Sequence, residues 1–397
     1  MKYASRDAGK FMRERRVSVV GLGGGGCKVV DFLAEFQQNW PGIFAIDTDS
    51  TVLADSHATA KLQIGSTRTN GLGTGGDVNL GRLAAEDDIE MIRGLFVDTD
   101  LVFLVVGLGG GTGTGAAPVV LNAARDAGST TLCFVTLPFG FEGRRRRNEA
   151  EQAISDLHES ADALIAVPNE RLFEFVGESS VAESFRKADE VLSEGISAIW
   201  KLITQPGFIN LDFADLKKVG QHSGGMCTFG CGSGTGKNRV KEALISAMNS
   251  PMLKQGQVIA DARSLLVSII GGPDLALKEV GDIMEALSSK TRDDADVFMG
   301  TVVEEKWKNR VSVTIVASEP MPFTADKTSV NDKPDDAAEP EDRPRTIGRK
   351  SGHKETQTRL SLETSGRGRF KGIEPTIFDG EDLDIPTFVR RGITIEK

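Results

Sequence analysis

The chain has 397 residues, 39% of them hydrophobic, and a formal net charge of -10. That length holds two cores and a tail, and the acidic balance argues against a nucleic-acid partner. No apolar run reaches the ~18 residues that span a bilayer, and four cysteines without paired spacing exclude a disulfide framework or a zinc site.

Residues 1–15 carry Lys2, Arg6, Lys10, Arg13 and Arg15 without an apolar centre, so they read as a flexible basic arm and not a secretory signal. Val17–Val20 is a predicted strand. It runs into Gly21-Leu22-Gly23-Gly24-Gly25-Gly26, then a helical pattern of Val29, Val30, Phe32, Leu33 and Phe36. Ile43–Ile46 is the next strand and ends at Asp47, and a glycine loop follows at Gly71-Leu72-Gly73-Thr74-Gly75-Gly76. Strands are predicted at Leu101–Val106, Thr131–Thr136 and Ala163–Val167. This alternation predicts an α/β fold, a Rossmann-like, mainly parallel, doubly wound sheet over residues 16–181. Ligands of such sheets bind beyond the carboxyl ends of the strands.

A long helical pattern, Ala182–Ile203, marks residues 182–209 as a connector, broken at Pro206-Gly207. Residues 210–317 predict a smaller α+β domain: strand Met226–Phe229, helix Asn238–Met248, strand Leu265–Ile270, helix Leu275–Ser288, and strands Val297–Val303 and Val311–Val316. Residues 318–381 are rich in Pro, Asp, Glu, Ser, Thr and Gly. They bury too little apolar surface to fold alone and predict a disordered linker. Residues 382–397 bring apolar and basic residues back, Ile385-Pro386-Thr387-Phe388 with Arg390-Arg391, and read as a partner-docking peptide.

The run Gly107–Gly115 carries the most chemistry. Five glycines at 109–111, 113 and 115, with Thr112 and Thr114, sit between a predicted strand and a predicted helix. Glycine allows close approach and positive φ, and N–H groups at a helix start favour anions. The threonines add hydroxyls. No Lys-Ser or Lys-Thr follows, so the run is not a Walker A loop. The first loop with Asp47 also satisfies a dinucleotide fingerprint, which keeps an NAD-dependent oxidoreductase open. Three glycine loops on one sheet suit a polyphosphate held from several sides. Gly234-Thr235-Gly236-Lys237 resembles the end of a P-loop, but Cys231 and Asn238 stand at positions that motif reserves for Gly and Ser or Thr.

The Gly109–Gly115 run resembles the signature of the FtsZ branch of the tubulin superfamily. So do Thr136-Leu137-Pro138-Phe139 with Phe141-Glu142-Gly143, Val167-Pro168-Asn169 with Arg171-Leu172, Ala188–Leu192, Asn210–Asp215 and the tail motif. The resemblance implies a GTPase that polymerises head to tail into cytoskeletal filaments for cell division, cytoplasmic and at midcell. A tubulin-like scaffold with weak hydrolysis is the alternative within the family. It implies GTP and GDP as ligands, with Mg2+ bridging the phosphates and no dedicated protein metal site. Gly23, Gly24, Gly25, Gly26, Gly71, Gly73, Gly75 and the 109–115 run, with Asp47 and Pro138, would surround the nucleotide. Glu142 and Arg146 would meet the ribose. Asn169 and Asp189 would read the guanine edge, with Phe185 packed on its ring. Asn210, Asp212 and Asp215 would enter the site of the next subunit and orient the attacking water. The tail motif would dock a division or membrane-anchor protein, with no direct insertion into lipid.

Three places depart from the family pattern, one of them Gly220 and His222 just after the 210–215 loop. Lys28 replaces a customary Asn near the sugar and base. Asp77-Val78 replaces Asn-Pro beside the third loop, which puts the coupling between hydrolysis and conformational change in question.

Overall fold

A computed structural model describes residues 16–36, 40, 42–176, 180–205, 207–221, 226–319, 377–378 and 381–382. The chain divides into two units, residues 1–330 and 331–397. In the first, β1 (Val17–Leu22) leads directly into α1 (Gly23–Phe36), followed by β2 (Ile43–Asp47), α2 (Ser50–Asp55), β3 (Ala60–Gln63), α3 (Ser66–Thr69), α4 (Val78–Asp87) and α5 (Ile89–Gly94). Next come β4 (Leu101–Gly107), α6 (Gly111–Asp126), β5 (Thr130–Leu137), α7 (Arg144–Ser160), β6 (Ala163–Pro168), α8 (Asn169–Val176), α9 (Val181–Thr204) and α10 (Phe213–Gln221). The remainder is β7 (Met226–Thr235), α11 (Arg239–Met248), α12 (Gln257–Asp261), β8 (Ser264–Gly271), α13 (Leu277–Ser288), β9 (Asp296–Val303) and β10 (Arg310–Ser318).

All ten strands join one sheet in the order β3-β2-β1-β4-β5-β6-β7-β10-β8-β9. The strands from β3 to β6 are parallel. β1 and β4 are continuous β-branched and apolar runs buried along nearly their whole length, as strands covered on both faces must be. The sequence suggested two sheet-bearing units. They meet through a short parallel pairing of β6 with β7, Leu164 opposite Met226 and Ile165 opposite Cys227. Strand patterning describes one element at a time and does not report such an edge-to-edge seam. The core lies in three clusters. Two cover the faces of the parallel half, and the third packs β8 and β10 against α11 and α13.

β7 runs six residues beyond its predicted end at Phe229 because glycines disguise it. A Cβ on Gly230, Gly232 or Gly234 would lie within 2.5 Å of the Ala247, Ala243 or Arg239 carbonyl oxygen. The glycines therefore form a period-two stripe that lets α11 lie on the strand. The P-loop-like Gly234-Thr235-Gly236 is the end of that stripe. β3 had no sequence signal: Ala60-Lys61-Leu62-Gln63 is a half-exposed edge strand.

In the second unit, β11 (Ile377–Phe378) and β12 (Glu381–Asp382) form a short antiparallel ladder. It falls partly within the stretch expected to be disordered. Asp379-Gly380 lies between the two strands, a dipeptide suited to tight hairpins. The docking motif at 385–388 and the basic arm lie outside the described residues. Among the described residues no helix is long and apolar enough to cross a membrane.

Glycine also decides how closely α6 approaches its neighbours. A Cβ at Gly115 would lie 2.0 Å from the Val78 carbonyl oxygen, at the start of α4. Gly115→Ala is expected to lower the free energy of unfolding by about 2–4 kcal/mol, read as a reduced urea midpoint.

Candidate nucleotide-binding site

At the carboxyl edge of the parallel strands, two helices begin side by side. α1 starts at Gly23 and α6 at Gly111. A Cβ on Gly23 would come within 2.9 Å of the Gly113 nitrogen, and one on Gly25 within 3.3 Å of Gly107 Cα. The N-cap of α6 is Gly110, without a side-chain cap bond. Its first N–H groups therefore present partial positive charge to whatever lies in front of them.

The glycines divide into two kinds. Nothing lies within 4 Å of a Cβ built on Gly24, Gly75 or Gly110, so these three face open space. Gly26, Gly111, Gly113 and Gly115 are packing residues, with Cβ positions 2.0–2.8 Å from atoms already in place. Gly109 has φ of +89° and donates its N–H to Thr114 Oγ1 at 2.9 Å.

The third loop closes the cradle from the side of α4. Gly71, Gly73, Gly75 and Gly76 all have positive φ. Asp77, one of the unusual residues there, N-caps α4 by accepting from Leu80 N at 3.0 Å. The Arg145 guanidinium of α7 donates to the Gly76 carbonyl at 2.9 Å. An open cleft of about 610 Å³ separates this loop from α7. Asp47 lies beneath the cradle, 3% exposed, its carboxylate accepting from the Thr48 and Asp49 N–H groups of its own loop.

On the other side, Phe139 stacks on Phe141 with ring centroids 4.9 Å apart and meets Phe185 edge-on at 5.6 Å. Pro138 is buried beside them and Asn169 is the half-buried first residue of α8. Phe185 and Asp189 lie one turn apart on α9, which packs on α1 and α8. Burial pushes the Asp189 carboxyl up to about 6, and the Lys28 ammonium on α1 opposes that shift. The unusual lysine thus partly neutralises the carboxylate on the expected base edge. Glu142 accepts from Phe139 N at 2.9 Å and pairs with Arg146 at 2.5 Å, so the two expected ribose contacts hold each other.

The acidic loop is elsewhere. Asn210 Oδ1 accepts from Gly207 N at 3.0 Å, and Asp215 Oδ2 faces Asp212 N at 3.4 Å at the start of α10. The far end of α10 abuts the amino end of β6, where Gly220 meets Ala163. From Asp189, α9 runs about 22 Å to its end at Thr204, at a rise of about 1.5 Å per residue. The structure therefore gathers Lys28, Phe185, Asp189, Asn169, Glu142 and the glycine loops at one end. It puts Asn210, Asp212 and Asp215 at the other. Among the described residues no group of three or more His, Cys, Asp or Glu could cage a metal ion.

The Tubulin/FtsZ family GTPase domain matches residues 16–177, and the FtsZ family C-terminal domain matches residues 225–319. An empty FtsZ dimer from M. jannaschii is 36% identical over 77% of this chain and 89% of its own, with a TM-score of 0.69. A tryptophan-to-tyrosine mutant of M. jannaschii FtsZ is 37% identical over 77% and 92%, with a TM-score of 0.70. This chain belongs to the FtsZ family. A GTPγS-bound CetZ2 protofilament from Haloferax volcanii shares the fold at 21% identity, covering 76% of this chain and 92% of its own, with a TM-score of 0.65. GTP is accordingly the nucleotide of this FtsZ-family domain, and the dinucleotide reading falls away.

Sequence reasoning gave no role to Arg145, which the structure places at the third loop. It also missed Thr48 and Thr74, which reach Thr112 only through tertiary packing. For Arg145 the signal was confounded, because its neighbour Arg146 and Arg147 have acidic partners four residues away just as it does.

Gly24→Val should leave the urea midpoint within about 0.5 kcal/mol of wild type, because its side chain enters open space, while weakening GTP binding at least about tenfold. Asp189 supplies a pH test. Its folded pKa is raised from 3.8 to about 6, so ionisation costs the fold free energy that accumulates as pH rises through that window. Asp189→Asn, without nucleotide, should therefore be more stable than wild type at about pH 7.5 by roughly 1–2 kcal/mol, with the advantage gone near pH 4.

Proposed function

We propose that this protein is a GTP-hydrolysing filament subunit whose active site is shared between neighbours. The observation that carries this reading is the separation of the two halves. The glycine loops, Phe185 and Asp189 lie at one end of α9, and the acidic loop lies beyond the opposite end. Phosphoryl transfer needs positioned water and charge neutralisation more than covalent chemistry. Head-to-tail stacking would bring Asn210, Asp212 and Asp215 of one subunit over the cradle of the next, and a heterologous contact that does not close propagates into a filament. The FtsZ dimer and the CetZ2 protofilament among the similar structures support self-association.

In this reading GTP binds on the 109–115 run with Mg2+ on its terminal phosphates. Asp212 and Asp215 orient the attacking water, and Asn210 holds the loop through Gly207. The filament works in the cytoplasm at the midcell division site. The Ile385–Phe388 motif tethers it to a division or membrane-anchor protein, without nucleic acid and without insertion into lipid.

GTP turnover per subunit should rise steeply with protein concentration, measured as phosphate release beside light scattering. Asp212→Ala should bind GTP as wild type does and lose on the order of 10²-fold in turnover. Turnover independent of concentration would contradict the shared site. Filaments with negligible phosphate release would favour a scaffold.

A further inference from the structure

A buried carboxylate and three buried hydroxyls form a chain beneath the phosphate cradle. Asp47, Thr48, Thr74 and Thr112 are 3%, 0%, 9% and 8% exposed. Asp47 Oδ1 accepts from Thr48 N at 2.6 Å, from Asp49 N at 3.1 Å and from the Thr48 hydroxyl at 3.5 Å. Thr48 Oγ1 lies 2.7 Å from Thr112 Oγ1, which lies 3.5 Å from Thr74 Oγ1. These residues belong to three elements: the end of β2, the first turn of α6 and the third loop.

Donor direction along such a chain is fixed at one end. An ionised carboxylate only accepts. The Thr48 and Thr112 hydrogens are then drawn to the Asp47 side and the Thr74 hydrogen to Thr112. The Thr112 hydroxyl is thus committed inward, and its lone pair holds Thr74. The rest of the loop is held through its main chain, by Ser50 at the Gly71 carbonyl and Arg145 at the Gly76 carbonyl, so Thr74 is the side chain that ties it to α6.

We propose that Asp47 is a positioning residue: by setting one donor direction through Thr48 and Thr112, it docks the third loop on α6 with its backbone aimed at the terminal phosphate of GTP. This rests on the GTPase reading above and adds a means by which the loop is held before the nucleotide arrives. Protonating Asp47 would make it a donor, break the direction of the chain and release Thr74. Burial, with the Asp49 charge, pushes the Asp47 carboxyl up from its ordinary range, against the Asp49 and Thr48 N–H groups and the Thr112 hydroxyl that favour the charged form. The titratable groups facing it are Asp49 in its own loop and the Cys27 thiol of α1, which burial keeps protonated and whose other acidic neighbour is Asp31.

The first test needs no nucleotide. Hydrogen exchange at the Leu72 and Asp77 amides should quicken about tenfold in Thr112→Val and in Asp47→Asn, and Thr112→Ser should return it to within about threefold of wild type. The second is kcat at saturating GTP and equal assembly. In wild type it should fall on acidification. Asp47→Asn should show that lowered value at neutral pH, without this acid limb. Unchanged exchange in both Thr112→Val and Asp47→Asn, or superimposable kcat profiles for wild type and Asp47→Asn, would overturn the proposal while GTP binding and hydrolysis stand. A wild-type chain that binds no GTP would overturn both this and the reading beneath it.

Discussion

The close approach of the first turn of α6 to the backbone around it is the contact on which the rest depends. The glycines that face open space here lie on helix starts and a loop, with Arg145 close by at Gly76. The charge the helix starts themselves offer is the partial charge of N–H groups, which acts at hydrogen-bonding range. Main chain can come that close only where Cβ atoms are missing. Gly111, Gly113 and Gly115 allow the helix start to sit against the third loop, β4 and α4, leaving Gly110 and Gly24 facing outward. Packing and binding are thus requirements of the same run, and α4 and the third loop are held by the element that meets the phosphates.

α9 sets the second constraint. One end carries Phe185 and Asp189, and the other leads into the acidic loop. A single rigid helix therefore fixes how far apart the two functional ends lie, and no side-chain motion spans about 22 Å. Electrostatics agree with that division. The base end tolerates a poorly solvated carboxylate, Asp189, because Lys28 lies across from it and a base edge would supply donors. The other end keeps Asn210 and Asp212 exposed and Asp215 half-exposed at a helix start, where negative charge is favoured.

Much of this was legible in the residues. Strand-loop-helix order placed Gly21–Gly26 and Gly107–Gly115 on one edge of a parallel sheet, and the structure agrees. The apolar pattern of Ala182–Ile203 became α9 almost residue for residue. What stayed hidden depended on distant partners. The glycines of β7 look like a loop until α11 is laid on them. The pairing of Leu164 with Met226 joins two halves that read as separate. Thr48, Thr74 and Thr112 are unremarkable threonines at their own positions, 26 and 38 residues apart, and only the fold makes them neighbours. Asp47 was visible as a strand-end carboxylate, but its burial was not, so its direction could not be read.

The most direct measurement of a shared active site is complementation between two inactive variants. Gly110→Val blocks the cradle and keeps the acidic loop, whereas Asp212→Ala keeps the cradle and lacks the carboxylate. Each alone should release little phosphate. Mixed in equal amounts, random head-to-tail contacts would join a sound cradle to a sound loop in roughly one interface in four, restoring up to about a quarter of wild-type turnover. A mixture that co-assembles yet hydrolyses GTP no faster than the two variants measured separately would contradict the account.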